Sequence, residues 1–243
     1  MNKKIIGMIH LKGLDDENVI KQALEDLKNY EESGIKTIII ENWEDKSPQP
    51  FISTEEKQRL MEIVKIIKDN TNLEIGINVL PNDYKSAFEI ANECGLDFVQ
   101  IDVLVDKVKT NYTYSHVEPF IIEVDLDDFL KHKSVPVFAS IHPKHYKMLG
   151  DKSIEQSAKE AEKYADVIVI TGDFTGDSPE LEEIKKVKAI ANKPVFVGSG
   201  LNENNAKELL LIADGAIVGT AFKTADFKKV VVNKIKQLLD VIN

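Results

Sequence analysis

One cysteine, Cys94, stands in 243 residues, so no intrachain disulfide staples the chain, a composition that suits a reducing compartment. Cys94 shares a helical face with Ala87, Ile90 and Ala91 and reads as a core thiol rather than a nucleophile. Long apolar runs are missing as well. No segment approaches the roughly eighteen residues that a membrane span needs, and Met1-Asn2-Lys3-Lys4-Ile5-Ile6-Gly7 runs into a strand without the apolar stretch of a secretory signal. Positive charge is the third shortage: 31 Lys and Arg face 41 Asp and Glu, a formal charge of −10. Such a surface repels nucleic-acid and lipid phosphates, so neither is an expected partner. The expectation is a cytoplasmic protein with one domain over residues 1–243.

What is present is alternation. Short β-rich apolar runs at 5–10, 36–41, 74–79, 98–103, 137–142, 167–171, 195–197 and 216–218 are separated by amphipathic stretches at 17–32, 54–69, 83–93, 153–163, 179–191, 203–211 and 226–242. Eight such units around a parallel sheet predict a (β/α)8 barrel, whose usual size is about 250 residues. An open doubly wound sheet needs only about five or six strands. In the last predicted helix, Val230, Val231, Ile235, Leu238, Leu239 and Ile242 fall on one stripe. Residues 105–133, between the fourth and fifth strands, are too long for a plain βα loop. This insertion carries Tyr112, Tyr114, His116 and Phe120 before a helix-like 125–131. A lid, a small β excursion and a homo-oligomer contact are the three uses open to it.

Barrel active sites lie at the C-terminal strand ends, and the ends here are polar. His10 follows the first strand, Glu41 and Asn42 the second, Asn78 the third and Asp102 the fourth; Ser140-Ile141-His142-Pro143-Lys144-His145 closes the fifth. Imidazole beside carboxylates suits proton transfer near neutral pH, and a desolvated Glu41 or Asp102 could act as acid or base. Each could equally cap a helix or bridge two loops. Lys144 invites a Schiff-base reading, although its charged loop fits a phosphate or carboxylate contact better. His142 and His145, with Glu41, Asp102 or His10, are the one set that could hold a divalent metal, but no spacing matches a zinc signature. Near the C-terminus, Val197-Gly198-Ser199-Gly200 and Val218-Gly219-Thr220 place small residues after the last two strands. Barrels often hold phosphate there on bare backbone amides; tight βα turns are the alternative.

Read in order, these tips resemble the BtpA/SgcQ family. The matching residues are Ile6-Gly7-Met8-Ile9-His10-Leu11, Ile40-Glu41-Asn42, Ile77-Asn78-Val79-Leu80 with Asn82-Asp83, Val103-Leu104, His142-Pro143-Lys144-His145, Thr175-Gly176-Asp177-Ser178-Pro179, Val197-Gly198-Ser199-Gly200 and Asp214-Gly215-Ala216-Ile217-Val218-Gly219-Thr220. The resemblance implies a phosphate-binding barrel. It also implies two kinds of role, because the family is named for photosystem I accumulation while members also occur beside sugar-metabolism genes. This chain departs from the pattern at Gly13-Leu14-Asp15, at Asp102, where asparagine is frequent, and at Ser140, where aspartate commonly precedes the histidine.

The expected function is acid–base chemistry, as an isomerase, lyase or hydrolase, on a small phosphorylated metabolite such as a sugar phosphate or nucleoside-like compound. His10, Glu41, Asp102 and His142 are the acid–base candidates. Asn42, Asn78, Lys144, His145, Gly198, Ser199, Gly200, Gly219 and Thr220 are the substrate contacts, with no cofactor assigned. A non-catalytic assembly factor for a larger complex is the alternative.

Overall fold

The computed structural model describes residues 3–43, 50–111 and 118–242; His116 and most of the polar segment expected to form a lid or contact lie outside them. Eight parallel strands close a barrel: β1 (Lys4–His10), β2 (Thr37–Glu41), β3 (Glu74–Asn78), β4 (Phe98–Ile101), β7 (Val137–Ile141), β9 (Val167–Ile170), β10 (Val195–Val197) and β11 (Gly215–Val218). Between them run α1 (Val19–Ser33), α2 (Thr54–Asp69), α3 (Tyr84–Cys94), α4 (Leu126–His132), α5 (Ile154–Ala161), α6 (Leu181–Ile190) and α7 (Ala206–Ile212), with α8 (Val232–Ile242) last. The start and stop signals are local. Ser53 with Glu56 and Ser153 with Gln156 form capping boxes on α2 and α5, and Gly34 and Gly95 end α1 and α3 in the left-handed region.

The period of two along each strand sorts side chains into two cores. Ile38, Ile40, Ile75, Ile77, Val195 and Val197 face outward and pack under the helices. Ile6, Met8, Ile39, Phe98, Phe138, Phe196 and Ile217 fill the lumen, with the Phe98 and Phe138 rings 4.5 Å apart. Gly76 and Gly215 make room for that filling: a Cβ would lie 2.3 Å from the Phe98 ring at one and 2.5 Å from Phe196 at the other. Below the filling, the lumen is closed at its N-terminal end by an ion pair. Lys4 Nζ reaches both Glu74 carboxylate oxygens at 2.7 Å, and Thr37 donates to the same group.

The long connection after β4 contains a β excursion. β5 (Val108–Thr110) pairs antiparallel with β6 (Ile121–Ile122) and with β8 (Tyr146–Met148), which follows β7. The expected last helix is corrected at its start. Val230 lies in an antiparallel bridge with Lys223, and α8 begins only at Val232. The bridge wins over helical periodicity because the Val230 N–H donates to buried Asp26 and its carbonyl accepts from Asn29.

Side chains stitch each C-terminal loop to the next. Asn42 holds the Leu80 main chain through both its amide oxygen and nitrogen, and Asn82 does the same to Val103. Asp106 accepts from the His142 N–H, Thr171 from the Lys144 N–H and Ser199 from the Gly172 N–H, while Ser199 donates to the Asp177 carbonyl. These clamps fix the rim that carries the site.

Candidate active site

His10, Glu41, Asn78 and Gln100 are lateral neighbours across β1, β2, β3 and β4. All face the lumen, and so does Asp102, two residues beyond Gln100. Parallel register alone therefore brings four strand tips into one ring. Asn78 Nδ2 donates to Glu41 Oε2 at 2.9 Å and to Asp102 Oδ1 at 3.2 Å, bridging two carboxylates with one amide. Burial, followed by the charge of Asp102, lifts Glu41 to about 7; burial also raises Asp102. A carboxylate tuned near neutrality can hold or release a proton at working pH. The Gln100 side-chain oxygen beneath them is buried without a hydrogen-bond partner among the described residues.

His10 Nε2 lies 3.6 Å from Glu41 Oε1, and its Nδ1 contacts the ammonium of Lys223. Burial first, then the charges of Lys223, Lys144 and Lys12, holds the His10 pKa well below the ordinary value and keeps the imidazole neutral. Trp43 flanks it, with ring centroids 5.6 Å apart, and the Lys12 ammonium sits 5.4 Å over the indole. Lys223 is 3 % exposed and is lowered to about 8, chiefly by burial. The mouth thus joins two buried carboxylates with three cations whose charges reach them or their neighbour His10.

Several expected residues serve elsewhere. His142 does not join the ring. Its backbone sits at φ 45°, its N–H is tied to Asp106, and its Nε2 is buried with no hydrogen-bond partner among the described residues. The turn redirects the side chain away from the alternation of β7. His145, at φ 67°, is held by Thr175 and Phe174, and burial lowers its pKa. Asn42 spends its amide on Leu80, and Ser199 its hydroxyl on the neighbouring loop. The glycine pair is explained by protein atoms. Gly198 donates its N–H to Ile170, and a Cβ there would meet Val169 at 2.5 Å. Gly200 sits at φ 70°, and a Cβ there would stand 2.1 Å from the Ser178 nitrogen. Gly219 packs on His10, where a Cβ would stand 2.9 Å from Cε1, and Thr220 opens the 3-10 turn Thr220–Phe222. Among the described residues, no three His, Cys, Asp or Glu side chains are grouped to hold a metal ion.

Lys223 carries no motif in the sequence and escaped it, because the helix periodicity of 226–242 hides the strap that delivers it. The one available signal was a lysine directly after an apolar Phe222 behind the last strand.

The sequence profile of the BtpA family matches residues 1–243. The chain belongs to the BtpA family. An uncharacterized protein of Methanocaldococcus jannaschii is 33% identical over 233 residues, covering 91% of this chain and 87% of that one. One of Thermococcus kodakarensis is 32% identical over 229 residues, with the same shares. The photosystem I biogenesis protein BtpA of Synechocystis is 28% identical over 236 residues, 90% of this chain and 80% of its own length. Among solved structures, phosphoribosyl anthranilate isomerase of Thermus thermophilus superposes with a TM-score of 0.61 at 12% identity, covering 98% of each chain. Thiamine phosphate pyrophosphorylase of Pyrococcus furiosus gives 0.61 at 18% identity, covering 99% of this chain and 96% of that one. At these identities the likeness is one of fold. No helix among the described residues is long and apolar enough to cross a membrane.

Proposed function

We propose that this BtpA-family barrel is an enzyme that moves protons on a small phosphorylated metabolite bound in the C-terminal mouth. The observation that carries this reading is the Glu41–Asn78–Asp102 bridge, two desolvated carboxylates that share an amide. Glu74, at the other end of the lumen, is by contrast paired with Lys4. Glu41 and Asp102 act as acid and base, and neutral His10 relays. Lys144, whose charge reaches His10, Glu41 and Asp102, and Lys12 supply the attraction for a phosphate that the net charge of the chain opposes. The amides after Gly219 add to it at the lumen rim. The names of the two solved neighbours, a phosphoribosyl anthranilate isomerase and a thiamine phosphate pyrophosphorylase, fit this substrate class.

Native mass spectrometry of the purified chain should show a co-purified phosphorylated compound that Lys144→Met releases. A mouth that stays empty and fails to bind inorganic phosphate would argue for the second reading. That reading is a non-catalytic assembly factor, favoured by the name of the Synechocystis relative.

A further inference from the structure

We propose that Lys223 is the nucleophile of this mouth, an amine that forms an imine with a carbonyl group of the substrate, which makes the substrate class a phosphorylated aldehyde or ketone. The inference rests on the acid–base reading above and extends it. A lysine this deeply buried is ordinarily paired with a carboxylate, yet no described Asp or Glu lies within 4 Å of the Lys223 ammonium. Among the described residues its one polar side-chain contact is His10 Nδ1, and His10 in turn faces Glu41 through Nε2. Glu41, His10 and Lys223 therefore stand in line as carboxylate, imidazole and amine, and a proton passes between them once the 3.6 Å step from Nε2 to the carboxylate closes to hydrogen-bond length. The main chain of Lys223 is held rigidly for the task. Its N–H donates to Thr220, its carbonyl accepts from Lys234, and it pairs with Val230, which Asp26 anchors. Lys144 differs in that no such relay among the described residues touches it.

The step balances without redox chemistry. The ammonium gives one proton through His10 to Glu41, and the freed Nζ pair bonds to the carbonyl carbon while the carbonyl π electrons move to oxygen. That oxygen collects two of the three ammonium protons in turn and leaves as water. The third proton stays on the iminium nitrogen, so that Glu41 and His10 end as they began. The iminium acidifies the neighbouring C–H, which Asp102 or Glu41 is placed to accept.

Burial lowers the proton affinity of Lys223 most; of the charges that face it, Asp26 and then Glu41 raise that affinity and Lys12 lowers it, with His10 in direct contact. Reductive methylation of the intact chain with limiting formaldehyde and cyanoborohydride, read by peptide mass spectrometry, tests the proposal without knowledge of the substrate. At pH 7 Lys223 should react at least about tenfold faster than exposed Lys207, because far more of it is free amine. Its labelling rate should rise with a midpoint near 8. Glu41→Gln should move that midpoint down and Lys12→Met up, and Lys223→Met should remove the labelled mass. A Lys223 that reacts no faster than Lys207, or whose midpoint neither variant moves, overturns the proposal. Inorganic phosphate separates the two readings. If it slows Lys223 labelling, both stand. If Lys223 reacts early but phosphate gives no protection, the amine stands and the phosphorylated substrate falls. If phosphate binds while Lys223 stays inert, only the nucleophile falls.

Discussion

Asn78 makes two donations to two carboxylates, and the electrostatic consequence is visible in how stability depends on pH. Glu41 has a folded-state pKa near 7 against an ordinary 4.5, so between those values the folded chain binds more protons than the unfolded one, and stability falls as pH rises through the window. A shift of that size corresponds to about 3 kcal/mol, present as a cost above pH 7 and absent below 4.5. Glu41→Gln should therefore melt higher than the parent at pH 8 and match it at pH 4.5, while turnover drops by about a hundredfold or more. A calorimetric series over pH checks the first part; parallel curves for the two proteins would show that Glu41 is not held in a desolvated site. Asn42 is the opposite kind of residue. Asn42→Ala leaves the Leu80 N–H without its acceptor in a buried rim, and it should cost about 1–3 kcal/mol in urea unfolding. It should leave the KM of the folded fraction unchanged.

At the scale of elements, the same alternation that made the barrel readable made half of the site readable. His10, Glu41 and Asn78 end their strands and Asp102 follows β4 directly, so the period of two carried to the tip lets a position in the sequence set a direction in the lumen. His142 was illegible because its strand ends in a residue at positive φ, and period two says nothing past such a turn. Lys223 was illegible because Val230 and Val231 share the apolar spacing of the last helix, although hydrogen bonds of Val230 with Asp26 and Asn29 delay the start of that helix to Val232. The small residues after β10 were visible, but sequence does not tell a glycine that admits a ligand from one that admits another loop. Two substitutions separate conformational strain from close approach. Gly34→Ala meets nothing within 4 Å at φ 87° and should cost only the left-handed penalty, about 1–2 kcal/mol. Gly200→Ala adds a collision with the Ser178 backbone to the same penalty and should cost about 2–5 kcal/mol. Equal losses in chemical denaturation would mean that the two loops part freely.

Across the whole molecule, charge is distributed against its average. The chain carries a formal −10, yet the charges of Lys12, Lys144 and Lys223 converge on His10 at one end of the lumen, while at the other end Lys4 is neutralised by Glu74. The barrel is thus polarised along its axis, with cations that form no ion pair among the described residues where the strands end. Three like charges around a neutral imidazole repel one another, and a bound dianion relieves that repulsion in the folded state alone. Ligand linkage then sets the size of the effect. Inorganic phosphate at a hundred times its Kd should add about 2.7 kcal/mol, which for a chain of this length raises Tm by roughly 5–10 °C. Lys144→Met should lose most of that gain, whereas Lys207→Met, on an exposed face of α7, should keep it. Sodium chloride at matched ionic strength provides the control, because it screens exposed pairs without occupying a site. A phosphate shift no larger than that of chloride, or one that survives in Lys144→Met, would place the anion elsewhere on the molecule and leave the cations of the mouth to serve the carboxylates alone.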